Sequence, residues 1–143
     1  MNDEQIRAKH YLSRPYWTMI RITRKQDEID QMRALVTRST AQISDMPRGG
    51  SGRDWTDVEI AVLELEDKIH DEIIKLCREK REIFDMIDQV EDARFRTLLE
   101  KRYRNFMRFE EIAVEMNYDY DYVRELHGLA LTAAAEKIPH NPT

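Results

Sequence analysis

The sequence predicts an all-α protein in which a long antiparallel, coiled-coil-like helical hairpin precedes a compact C-terminal group of short helices. Three observations carry this reading. Only 4 Gly and 4 Pro occur in 143 residues, so helices have few breakers, and the composition is 36% charged and 41% hydrophobic. Apolar residues recur every seven positions through the middle of the chain, and in the last third this gives way to short periodic stretches separated by tight turns.

The elements follow in order. Asn2 with Gln5 forms a cap and capping partner for a first helix from Asn2 to about Leu12. Ser13-Arg14-Pro15 interrupts it, and because proline is tolerated in a first helical turn, a second helix is expected from about Pro15 to about Ser39, with Met19, Ile22, Ile29, Met32 and Val36 as its buried stripe. Pro47, Gly49, Gly50, Ser51 and Gly52 punctuate residues 40–53, which read as a loop. Asp54 and Asp57 open a stretch without Gly or Pro in which Val62, Ile69, Leu76, Ile83 and Val90 are spaced by seven, with Val58, Leu65, Ile73, Met86 and Ile87 beside them. One helix through these residues would be roughly 58 Å long at 1.5 Å per residue. Residues 1–92 are thus expected to form the hairpin, a scaffold or oligomerisation unit.

Charge is partitioned along the chain. Residues 1–53 carry ten Lys/Arg and six Asp/Glu, residues 54–92 five and fourteen, and residues 93–143 eight of each, so the middle segment alone accounts for the acidity of the chain. A basic first arm suits an acidic second one. Arg7, Arg14 and Arg21 are spaced by seven and point to cross-helix ion pairs worth ~0–1 kcal/mol each, with a phosphate-binding stripe as the alternative.

The last third is read as three helices. Phe95, Leu98, Leu99, Tyr103 and Phe106 share one face, Phe109, Ile112, Ala113 and Met116 make a second helix, and Val123, Leu126, Ala130, Leu131 and Ala134 mark a third. Only Asn117-Tyr118-Asp119 separates the last two. Such a short connection needs a small residue where the helices cross, one tolerant of left-handed geometry in the turn, and a cap for the next helix; Ala113, Asn117 and Asp119 supply these, and Tyr118 can plug the corner. This is the pattern of a helix-turn-helix, expected over residues 93–138, with 139–143 as a flexible tail.

On these residues a resemblance rests. Leu98-Leu99-Glu100-Lys101-Arg102-Tyr103, Phe109 to Met116 and Val123 to Leu131 resemble the C-terminal, region-four-like promoter-reading part of sigma factors over about residues 94–135. With the preceding helices and Ser44-Asp45-Met46-Pro47, the whole chain resembles small phage regulators of the RinA/ArpU type. The resemblance implies that the third helix enters the major groove of double-stranded DNA, with Tyr120, Asp121, Arg124 and Glu125 facing bases. Arg124 can donate two hydrogen bonds to guanine, and Asp121 or Glu125 can accept from cytosine. Lys101, Arg102, Arg104 and Arg108, with the backbone N–H groups of Phe109 to Glu111, would meet phosphates. Host RNA polymerase is a second partner this implies, and a homodimer through the hairpin a third association.

The sequence departs from that pattern in charge. Asp119, Asp121 and Glu125 place three carboxylates at the reading end, residues 94–128 hold seven basic and seven acidic side chains, and Arg108 stands where Ser or Thr would cap the second helix.

Other chemistries find no pattern. Asp67 and His70 form a lone Asp-x-x-His without a second copy, His10 and His140 have no ligand spacing, and His127 either packs against the domain or faces DNA. Cys77 has no histidine motif and reads as a partly buried thiol, and Arg48 to Gly52 lacks the strand and Lys-Ser/Thr of a phosphate loop. Tyr11, Tyr16 and Trp17 near Pro15, and Trp55, read as packing residues, since a stacking platform for nucleic-acid strands needs more basic surroundings. No catalytic residue, metal or cofactor is expected. The N-terminus lacks the basic start and apolar run of a secretory signal, no stretch is long and apolar enough to span a bilayer, and the single cysteine cannot close an internal disulfide; a reducing bacterial cytoplasm is the expected location. The function expected is that of a phage or prophage transcriptional regulator. The alternatives are a helical adaptor that binds protein alone, and a small-terminase-like initiator of DNA packaging.

Overall fold

The computed structural model describes residues 1–43 and 52–140, with side chains described for 1–38 and 56–140. These residues form an all-α protein of six helices, α1 (Asp3–Leu12), α2 (Arg14–Ile43), α3 (Gly52–Asp88), α4 (Ala93–Leu99), α5 (Phe109–Met116) and α6 (Tyr120–Ala135), with a π-helical turn at Glu100–Arg104 following α4. No strand occurs among the described residues. The expected loop is narrower than 40–53, since 40–43 and 52–53 are helical, and its remainder, residues 44–51, lies outside the described residues. Packing divides the chain into two units, Thr18–Lys75 and the pair of segments Met1–Trp17 and Leu76–Thr143.

In the Thr18–Lys75 unit, α2 and α3 bury Ile29, Val62 and Ile69, with Ile22, Met32, Val58 and Leu65 packed around them. Arg21 pairs with Glu72 at 3.3 Å and Arg33 with Glu66 at 2.5 Å. Partner numbers fall on α3 as they rise on α2, so the two run antiparallel, with basic residues of one arm facing acidic residues of the other as the charge partition suggests. The stripe is narrower than expected, because Ile73 is exposed. So are Leu35, Ile60, Leu63 and Ile74. Cys77, expected to be partly buried, is exposed as well.

The second unit holds the larger core. Asn2 caps α1 through the expected reciprocal bonds with Gln5. Ser13 ends that helix, its N–H and Oγ both donating to the Lys9 carbonyl, while Arg14 Nε donates to the Tyr11 carbonyl, so the carbonyls freed by the break are satisfied locally. Pro15 then sits in the first turn of α2, where its missing N–H costs nothing. Ala8, Tyr11 and Leu12 of α1 join Ile83, Met86 and Ile87 from the end of α3, Leu98 and Leu99 of α4, and Val123, Leu126, Ala130 and Leu131 of α6 in one cluster.

The tie between α1 and α6 was absent from the sequence reading, which grouped residues 1–92 apart from 93–138. Gln5 Nε2 donates to the Gly128 carbonyl at 2.9 Å and to Thr132 Oγ1 at 3.1 Å. Arg7 Nη2 donates to the Ala135 carbonyl at 2.8 Å and Nη1 to the Pro139 carbonyl at 3.3 Å, placing a cation at the negative end of α6. Of the seven-spaced arginines, Arg14 pairs with Glu82 at 3.2 Å and Arg21 with Glu72, whereas Arg7 serves α6.

The long helix stops at Asp88, earlier than the heptads through Val90 suggested. Val90 is nevertheless buried, its N–H turned back to the Ile87 carbonyl. Asp92 starts α4 by accepting from the Arg94 N–H at 2.8 Å, and Arg96 Nη1 donates to the carbonyls of Val90 and Glu91 at 2.6 and 2.7 Å. Side-chain hydrogen bonds thus satisfy the backbone at the corner between α3 and α4.

Candidate nucleic-acid interface

The pair α5–α6 is built by its turn. Asn117 adopts φ 60°, ψ 45°, the left-handed geometry that short polar side chains tolerate best after glycine. The Tyr118 N–H donates to the Ala113 carbonyl at 2.9 Å and the Asn117 N–H to the Val114 carbonyl at 3.2 Å, a Schellman closure that satisfies the last carbonyls of α5. Ala113 is buried at the crossing and Ile112 fully so. Tyr118 packs on the core and meets the Tyr122 ring edge-on at 5.0 Å. Asp119 occupies the cap position of α6 in extended geometry, yet its side chain makes no capping hydrogen bond, contrary to expectation.

α6 separates its faces cleanly. Val123, Leu126, His127, Ala130, Leu131, Ala134 and Ala135 are buried, while Tyr120, Asp121, Arg124 and Glu125 are all exposed on its first two turns. The spacing 120, 121, 124, 125 is one helical face, so the four residues expected to face bases lie side by side. Arg124 Nη1 donates to Tyr120 Oη at 3.2 Å, and its guanidinium stands 4.9 Å from the Phe109 ring centroid, which orients the fork without neutralising it. Asp119, Asp121 and Glu125 form no ion pair among the described residues, so their charge is uncompensated beside Arg124.

The four expected phosphate residues divide. Lys101 pairs with Glu115, and Arg102 Nη1 donates to the Met107 carbonyl at 2.9 Å while its guanidinium lies 4.3 Å from the Phe109 centroid. Both therefore brace the approach to α5. Arg104 is exposed with its guanidinium 4.3 Å from the Phe84 ring centroid, and Arg108 is exposed, bonding through Nε to Glu111 at 2.8 Å. The missing side-chain cap at Arg108 is offset from the other direction, since Glu111 accepts from both the Arg108 guanidinium and its backbone N–H, which hold the carboxyl below its usual range. Phe106, expected on the face of the preceding helix, lies beyond the π-helical turn with φ 57°.

Two further residues support this face: His127, which takes the packed one of its two expected places, and Arg94, which the sequence did not single out. His127 is buried, its Nε2 sharing a 2.6 Å hydrogen bond with Tyr103 Oη, and its ring packs 4.8 Å from the Phe109 centroid. Burial lowers its pKa to about 4, helped by the charges of Arg102, Lys9 and Arg124, and burial also raises that of Tyr103. His127 therefore supports the site from within and does not face outward. Arg94 donates to Tyr122 Oη at 2.9 Å, tying the start of α4 to the first turn of α6. A basic residue two positions after the Asp92 cap was the available signal, but its partner lies 28 residues away.

No curated protein and no solved structure matches this chain. One family model does, over residues 35–127, which include the end of α2, all of α3 to α5 and the exposed face of α6. Because the match covers well over half the sequence, the chain belongs to the family described as Protein of unknown function (DUF1492).

Proposed function

We propose that this protein is a phage or prophage transcriptional regulator that reads promoter or operator DNA with the first two turns of α6. The observation that carries the proposal is the partition of α6, Val123 and Leu126 buried while Tyr120, Asp121, Arg124 and Glu125 stand together in solvent. The left-handed Asn117 turn places that face directly after α5, the order in which a helix-turn-helix presents its reading helix. Arg104 and Arg108 are the exposed cations available for phosphates, while Lys101 and Arg102 contribute through the packing they hold. Host RNA polymerase fits this reading as a partner that supplies the affinity a charge-balanced surface lacks.

Salt-dependent binding to DNA from the protein's own operon tests it. Arg124→Ala should remove preference at one base position, costing about 1–3 kcal/mol on the preferred site and little elsewhere. Arg104→Ala/Arg108→Ala should weaken all sequences alike and reduce the salt slope by about two. Weak binding indistinguishable among the three proteins, each as folded as the others by circular dichroism, would overturn the proposal.

A further inference from the structure

A cleft of about 300 Å³ opens beside the α1–α2 break. The sequence left Tyr16 and Trp17 as packing residues for want of basic neighbours. The fold supplies them, since Lys9, Arg102 and Arg108 line the cleft with Tyr16, Trp17 and Phe106, and no carboxylate among the described residues does. Lys9 is exposed and pairs with no carboxylate among the described residues. In a chain with 28 acidic residues, a cleft lined by Lys9, Arg102 and Arg108, of which Arg108 alone is ion-paired among the described residues, to Glu111, marks a place for an anion.

The aromatic wall specifies more than charge. Tyr16 meets Trp17 edge-on at 5.3 Å and Phe106 at 5.8 Å, and Trp17 remains 56% exposed, so flat apolar surface is left uncovered beside the cations. The wall is held by two backbone irregularities. The π-helical turn Glu100–Arg104 carries Arg102 and Tyr103 to the cleft, and Phe106 is held at φ 57°, a costly geometry for an aromatic residue. Such departures concentrate where a ligand is bound.

We propose that this cleft binds a nucleotide unit, its base against Tyr16, Trp17 and Phe106 and its phosphate among Lys9, Arg102 and Arg108. The volume matches a single mononucleotide and sits at the lower end for small-molecule sites. The same chemistry is offered by a free nucleoside monophosphate and by an unpaired nucleotide of a DNA strand. The site shares Arg108 with the proposed DNA face but none of the four base-facing residues.

Trp17 is its own reporter once the second tryptophan is removed by Trp55→Phe. In that background, AMP, GMP and TMP should quench Trp17 saturably below about 1 mM, with adenosine and ribose 5-phosphate each at least about tenfold weaker. Lys9→Glu should weaken AMP at least about tenfold with an unchanged melting curve, and Arg124→Ala should leave AMP binding as it was. A thymidine octanucleotide binding about tenfold more tightly than TMP identifies a strand as the source; equal affinity identifies the free nucleotide. The proposal is overturned if no nucleotide or oligonucleotide quenches saturably, if inorganic phosphate competes as well as AMP, or if Lys9→Glu changes nothing. Because Arg124→Ala separates the two surfaces, failure here leaves the α6 reading intact, and the reverse.

Discussion

His127 shows how much one buried titratable side chain can tie to pH. It is 6% exposed, bonded to Tyr103 and flanked by Phe109, and its pKa falls to about 4 from 6.5. The folded state thus binds fewer protons than the unfolded one below pH 6.5. Its contribution to stability is complete above that pH and is lost as pH falls towards 4, on the order of 3 kcal/mol in all. Denaturation midpoints measured between pH 7 and 4 should fall accordingly, and the imidazole should not titrate by NMR above about pH 5. A packed His127 was one of the two places its sequence context allowed, but its bond to Tyr103, 24 residues away, is not written in the spacing of a helix face. Asn117 was legible for the opposite reason: its role is local. Asn117→Ala should cost about 1–2 kcal/mol through left-handed strain, whereas Asn117→Gly should be nearly neutral. The carboxylates at the reading end make a third case. Asp121→Asn/Glu125→Gln should raise affinity for all DNA sequences and steepen the salt dependence, which titrations at two salt concentrations will show.

Helices α1, α5 and α6 were read within a residue or two, since caps, short apolar faces and turn residues are written in consecutive positions. What those helices pack against was not. The Asn2 cap announces α1, but nothing in residues 1–12 says that Gln5 reaches Gly128 or that Arg7 reaches Ala135. The consequence is testable. Leu12→Ala, although far in sequence from the turn at Asn117, should destabilise the unit that carries it by about 3 kcal/mol, and a fragment of residues 93–140 should remain unfolded by circular dichroism because α1 and the end of α3 complete its core. The heptads of α3 misled in one respect. A repeat of seven marks a face without saying how wide the partner is, and the single helix α2 covers Val62 and Ile69 but leaves Ile73 exposed. Ile60, Leu63 and Ile74, spaced as one helical stripe, are exposed too and are the surface through which we propose that a second copy pairs. Light scattering should then give a dimer that Leu63→Lys/Ile74→Lys converts to monomer; a ring of eight or more chains would favour DNA packaging instead.

For the molecule as a whole, the charge balance carries the argument. Residues 54–92 hold fourteen of the 28 acids, and some of these face arginines of the preceding arm, as Arg21–Glu72 and Arg33–Glu66 show. The acidic total therefore arises mainly away from α6, although there too Arg124 stands with three carboxylates that form no ion pair among the described residues. Arg104, Arg108 and the basic cleft beside Trp17 supply positive surface in the same packing unit. On the proposed function, such a protein would read its site by the chemistry of a few side chains and gain modest affinity from phosphates. The most direct measurement is repeated selection of bound fragments from random double-stranded DNA, followed by sequencing, for wild type and Arg124→Ala. Wild type is expected to enrich a defined motif with guanine at one position, and Arg124→Ala to lose preference at that position alone. Successive rounds in which wild type enriches no sequence over the starting pool would contradict it.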